Sequence, residues 1–166
     1  MGKIWLTRRG ALSLLPALAV PPTLGGRPAR AETPLGVPDL YGADPLTGLA
    51  LRGFDPVSYR LGAEPVAGSD EHEITWSGLV WRFAAAANRA AFARAPEVYA
   101  PRLGGCDPEG VAAGRLVEAD PLVAALRDDR LYLFRDPERR ARAHAALIDA
   151  AEARWPQLKG IAAFGG

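Results

Sequence analysis

The chain has 166 residues, with 20 Lys and Arg against 19 Asp and Glu, for a formal charge of +1. That balance hides an asymmetry: residues 1–31 hold five basic residues and no acid, so the 135 residues that follow carry −4. A mildly acidic body argues against nucleic acid and against anionic membrane surfaces as partners, since both reward basic patches, and a single cysteine, Cys106, excludes an intramolecular disulfide.

Residues 1–31 read as a twin-arginine signal peptide. Arg8 and Arg9 stand directly ahead of an apolar run from Ala11 to Val20, and Ala29-Arg30-Ala31 supplies a small-x-small site with cleavage after Ala31. The run is shorter than the ~20 apolar residues that span a bilayer. The segment has no cysteine for lipid attachment. The expectation is a bacterial protein exported already folded, periplasmic or secreted, with no membrane association once the signal is removed.

Residues 32–52 are rich in Pro and Gly and read as an extended arm. From residue 53 the chain states one pattern twice, in copies 53–104 and 105–158, followed by a tail at 159–166. Gly53-Phe54-Asp55-Pro56 returns as Gly105-Cys106-Asp107-Pro108, and Leu79-Val80-Trp81-Arg82-Phe83 is answered by Leu131-Tyr132-Leu133-Phe134. Self-similarity of turn, strand and helix at one offset points to two related units. It also sets Cys106 where the first copy has Phe54, which favours packing over chemistry for the thiol.

In the first copy, Asp55-Pro56 suits a turn or helix start. Ile74 and Trp76, then Leu79, Trp81 and Phe83, alternate with polar neighbours around Ser77-Gly78, which predicts a β-hairpin with an aromatic face. A helix follows from Ala86 to Ala95, with Asn88, Phe92, Ala95 and Tyr99 on one face and a break or restart at Pro96. In the second copy, Asp107-Pro108 predicts a short helix to about Ala113, ended by Gly114. Leu122–Leu126 and Leu131–Phe134 read as strands around Arg127-Asp128-Asp129-Arg130. Asp136-Pro137 then caps one long helix to about Arg154, with Ala141, Ala145, Ile148, Ala151 and Trp155 on its face. Trp155-Pro156 closes it, because the residue before a proline resists helical geometry. The aromatic hairpin needs an apolar partner, expected from the second copy through Tyr132 or Leu133, Phe134 and the Ile148–Trp155 face. The fold class is α+β: two related strand–strand–helix units in one small domain.

Catalytic motifs are sparse. The chain has no Gly-x-Ser-x-Gly, no phosphate-cradling glycine loop and no paired-histidine zinc helix. After the signal, Ser58, Ser69 and Ser77 are the serines, and His72 and His144 the histidines. A set of Cys106, His72 and His144 would suit copper or zinc. Against this, Asp70-Glu71-His72-Glu73 reads as a solvated strand entrance, His144 as a packed or partly exposed helix residue, and Cys106 as a small buried hydrophobe.

Gly53-Phe54-Asp55-Pro56-Val57-Ser58-Tyr59, Pro65-Val66-Ala67-Gly68, Trp76 through Phe83 and Asn88-Arg89-Ala90-Ala91-Phe92 together resemble the YHS domain in its exported bacterial form. Pro96 through Gly105, Leu131-Tyr132-Leu133 and Ala151 through Pro156 extend the resemblance over residues 53–158. It implies a small α+β fold and an exported location, with metal binding suggested by relatives attached to heavy-metal pumps. Those relatives carry a cysteine-rich ligand motif that nothing in this chain matches. Cys106 stands where many similar proteins have tyrosine, Ala124 where a tryptophan is often found, and Asp129 in place of the usual turn glycine. The sequence thus points to a non-enzymatic module that binds an unidentified small ligand or protein, without a cofactor. A metal-binding protein taking copper or zinc is the alternative, and an enzyme is third.

Overall fold

A computed structural model describes residues 47–62 and 64–163. The signal segment with Arg8, Arg9 and Ala31, the arm up to residue 46 and the last three residues lie outside the described residues. The elements follow the order read from the repeat: β1 (Ser69–Trp76), β2 (Leu79–Phe83), α1 (Ala86–Arg94), α2 (Pro96–Tyr99), α3 (Pro108–Ala112), β3 (Asp120–Arg127), β4 (Arg130–Phe134), α4 (Pro137–Arg142) and α5 (Ala145–Ala163). β1 pairs antiparallel with β2 and β3 with β4, giving two separate two-stranded sheets. The fold is α+β, built from two related strand–strand–helix units.

The repeat holds at the level of single hydrogen bonds. Each hairpin closes on a two-residue turn with both residues at positive φ, Ser77-Gly78 in one and Asp128-Asp129 in the other. Such turns match the right-handed twist of the strands they join. Each carries a shift in register inside its first strand, between Ser69 and Glu73 and between Asp120 and Ala124. Each also places a fully buried aspartate behind the end of its second strand. Asp55 accepts from the amides of Val57 (2.8 Å) and Ala84 (2.9 Å) and from Asn88 Nδ2 (2.6 Å). Asp107 accepts from the amides of Gly110 (2.9 Å) and Arg135 (3.2 Å) and from Arg139 Nη1 (2.6 Å). A buried carboxylate is costly unless its oxygens are satisfied, and both are. The second copy adds a cation where the first has an amide.

Ahead of each aspartate lies a feature the sequence did not disclose. Leu51, Arg52 and Gly53 have φ of 53°, 50° and 86°, and Leu103, Gly104 and Gly105 repeat this with 54°, 61° and 78°. A left-handed residue other than glycine costs roughly 1–2 kcal/mol. Burial of both leucine side chains and the bonds from the Phe54 amide to Leu51 O (3.0 Å) and from the Cys106 amide to Leu103 O (3.0 Å) hold these turns. Phe54 and Cys106 each follow their turn and form equivalent bridges, to Ala67 and to Glu118. The alignment of Cys106 with Phe54 is therefore a structural equivalence.

The units pack through β4. Leu131 and Leu133 join Trp81, Phe83, Phe92, Val57 and Tyr59 in one apolar cluster. Tyr132 and Phe134, from the other face of the strand, join Cys106, Val111, Ile148, Ala151 and Leu158 in a second. Of the partners expected for the aromatic hairpin, Leu133 holds and is joined by Leu131, whereas Tyr132, Phe134 and the Ile148–Trp155 face build the other cluster instead. Phe92 is the hub of the first, with ring centroids 5.1, 5.2 and 5.5 Å from Trp81, Phe83 and Trp76. Of the expected arm over residues 32–52, Ala50 is extended and Leu49 bridges in parallel to Val80, but Leu51 and Arg52 belong to the left-handed turn.

Two expectations for the last helix are overturned. The run from Asp136 to Arg154 is two helices, because Ala143 turns extended with ψ 95°. His144 then caps α5 through its Nδ1, which accepts from the Leu147 amide at 3.3 Å, and Arg127 takes the freed Ala143 carbonyl at 3.1 Å. The break buries Ala143 and leaves Ala141 and Ala145 exposed. Pro156 does not end the helix but lies inside α5. An internal proline costs about 3 kcal/mol, which is offset here by burial of Ile148, Ala151 and Leu158 in the second cluster.

Asp129 sits at φ 57° where the first copy has Gly78, and its side chain is 98% exposed. Asp129→Gly is expected to raise the unfolding free energy by about 1 kcal/mol, measured by urea denaturation. A destabilised variant would show that the Asp129 side chain holds the turn.

Candidate functional site

Where the first copy meets the second hairpin, a groove of about 470 Å³ opens between the Tyr59–Pro65 loop and β3. Its lining is Tyr59, Gly62, Glu64 and Pro65 from one copy and Leu122, Ala124, Ala125, Leu126, Leu131 and Arg140 from the other. The floor is β3, which has one edge paired to β4 and, among the described residues, no strand on the other. Leu122, 58% exposed, and Leu126, 41% exposed, both belong to this lining. Isolated surface leucines need no explanation, but a cluster along one groove marks an interaction site.

Tyr59 is the keystone of the wall. Its hydroxyl donates to Pro121 O at 3.1 Å, tying the loop to the start of β3. Burial, followed by the negative charges of Asp120 and Asp55, pushes its phenol well above the ordinary range, so the group stays a neutral donor. Ser58 beside it is also committed: its hydroxyl donates to Asp55 O (2.7 Å) and accepts from the Val66 amide (2.9 Å). Arg60, next along, reaches Val98 O (2.7 Å) and Asp129 O, and lies 5.8 Å from the Tyr99 ring. Tyr59 and Arg60 thus clamp the first copy to the second hairpin, while Ser58 braces the loop within the first copy.

A second polar network lies under α5. Arg102 donates to both Glu152 oxygens, Nε at 2.9 Å and Nη2 at 2.7 Å, and Tyr132 donates its hydroxyl to Oε1 at 2.8 Å. Burial pushes the Glu152 carboxyl up, but the bonds from Arg102 and Tyr132 outweigh it and hold the group below its ordinary 4.5. This is a strut between the left-handed turn, β4 and α5.

The three residues weighed as metal ligands have separate placements. Cys106 belongs to the second cluster, and burial with the nearby Asp107 charge pushes its thiol up to about 11, which opposes the thiolate a metal requires. His72 is half-buried on β1 within the register shift between Ser69 and Glu73. His144 is the α5 cap. Among the described residues no group of three or more His, Cys, Asp or Glu side chains is placed to hold an ion.

Sequence reasoning missed the groove. Leu122 and Leu126 were legible as strand residues, but their openness depends on which strand lies inside the molecule. No family model, curated protein or solved structure matches the chain.

Because the carboxyl of Glu152 is depressed in the folded state, the stability it contributes is full above its unfolded pKa and is lost as pH falls through the folded one. Glu152→Gln is expected to be less stable than the parent near neutrality, and the gap to close below about pH 4.5. Urea unfolding across that range checks this. A gap that stays constant with pH would remove the charge from the account.

Proposed function

We propose that this protein is an exported, non-enzymatic binding module of the YHS-like kind, and that its ligand lies in the groove between the Tyr59–Pro65 loop and β3. The observation that carries the reading is the open groove of about 470 Å³ with exposed Leu122 and Leu126 along one side. Concave, mostly apolar sites with a few polar groups are the usual form of small-ligand sites, and here Tyr59, Glu64 and Arg140 supply the polar groups. The hydroxyl of Ser58 and the ring of His144 are engaged in holding the fold, which supports binding over chemistry. Export rests on Arg8, Arg9 and the Ala31 site, and the mature N-terminus is then Glu32.

Protein recovered from the exporting compartment tests both halves of the proposal. Native mass spectrometry is expected to find an organic ligand that is lost in the Leu122→Asp, Leu126→Asp double variant, and elemental analysis to find no stoichiometric metal. The Arg8→Lys, Arg9→Lys precursor is expected to remain in the cytoplasm. Stoichiometric copper or zinc that disappears in Cys106→Ala would replace the groove reading with a metal site. Normal export of the lysine variant would remove the twin-arginine address.

A further inference from the structure

The open edge of β3 narrows the ligand class. In a hairpin closed by a two-residue turn, the flanking residues form a hydrogen-bonded pair and successive pairs alternate. Arg127 faces Arg130, so Leu126 opposite Leu131 and Ala124 opposite Leu133 are the pairs that do not bond across the hairpin. The amides and carbonyls of Ala124 and Leu126 therefore point away from β4, and among the described residues no hydrogen bond takes them. Both residues line the groove. A strand edge left open beside apolar side chains is a template for pairing with another backbone.

We propose that the groove binds a short peptide in extended form, which adds to β3 as a third strand and carries free termini. This rests on the groove being the ligand site. Backbone pairing falls to Ala124 and Leu126, and side-chain contact to Leu122, Leu126, Tyr59 and Pro65. Leu122 to Leu126 is about 13 Å of strand, enough for three or four peptide residues. The rim supplies the charge complement. Glu64 comes from the first copy and Arg140 from α4 of the second, and neither makes an ion pair among the described residues. One free carboxylate and one free guanidinium on the two sides of an apolar slot suit a zwitterion, with its ammonium on Glu64 and its carboxylate on Arg140.

The test is a titration of the isotopically labelled full chain, followed by amide resonances. The probes are the tripeptide Val-Ala-Val, its C-terminal amide, the same peptide with its central nitrogen methylated, and indole as a purely apolar probe. Val-Ala-Val is expected to shift the Ala124 and Leu126 amides and protect them from exchange. Methylation of the central nitrogen or Arg140→Gln is expected to weaken binding about tenfold, the scale of one lost charge-assisted or backbone hydrogen bond. In Arg140→Gln the carboxylate and amide forms are expected to bind alike. Binding of indole with no response to any peptide would overturn the peptide inference and leave the groove as a site. Silence towards all four probes would remove both. Ala124 and Leu126 amides already protected without peptide, or shifting with protein concentration, would show the edge occupied by the chain itself or a second copy, and would likewise overturn the inference.

Discussion

Everything else in this molecule is arranged around a strand that is buried on both faces. β4 is five residues long, and four of them in succession, Leu131 to Phe134, are inaccessible to solvent. Alternate side chains of a strand point to opposite sides, so Leu131 and Leu133 complete one apolar cluster while Tyr132 and Phe134 complete the other. Burial of such a side chain contributes roughly 1.5–3 kcal/mol. Neither cluster is complete without this strand. Its counterpart β2 has only Trp81 and Phe83 fully buried, with Arg82 on the opposite face paired to Glu73 at 2.8 Å. The two copies share a pattern of bonds but not a role: one supplies the centre and the other wraps it.

The candidate site follows from that asymmetry. With β4 inside, β3 has one edge spent on the hairpin and the other left open. Tyr59 ties the first copy to it, its hydroxyl holding Pro121 O at 3.1 Å, so wall and strand are fastened at the start of β3 and parted along Leu122–Leu126. Restraint comes from elsewhere. Arg60 crosses from the first copy to the Asp129 carbonyl, and Glu152 anchors α5 to Arg102 and Tyr132. The groove is thus rigidly framed while its lining carries few polar obligations, which suits recognition by shape and backbone pairing.

Much of the fold was legible because its local signals agree. The Ser77-Gly78 turn sits between alternating aromatic runs, and Asp107-Pro108 caps α3 through its side chain, as the residue types require. The assignment of Leu131–Phe134 to two clusters was not legible, since four consecutive large apolar residues carry no period that marks a face. The left-handed turns at Leu51-Arg52 and Leu103 escaped notice because leucine and arginine rarely adopt positive φ. Pro156 misled because burial of α5 outweighs the lost amide, and the break at His144 escaped because an Ala-rich run gives no stop signal. The groove and its open amides are tertiary: they depend on the Asp128-Asp129 turn fixing which backbone groups of β3 face outward.

Native-state hydrogen exchange in Leu133→Ala tests the shared strand most directly. The amides of Trp81 and Phe92 report on the first cluster, and those of Val111 and Ala151 on the second. A truncated buried leucine costs about 2–5 kcal/mol. If β4 joins the halves into one cooperative unit, the opening free energies at all four amides fall together by the same amount. A fall at Trp81 and Phe92 alone, with Val111 and Ala151 unchanged, would show two independently stable halves and contradict the account.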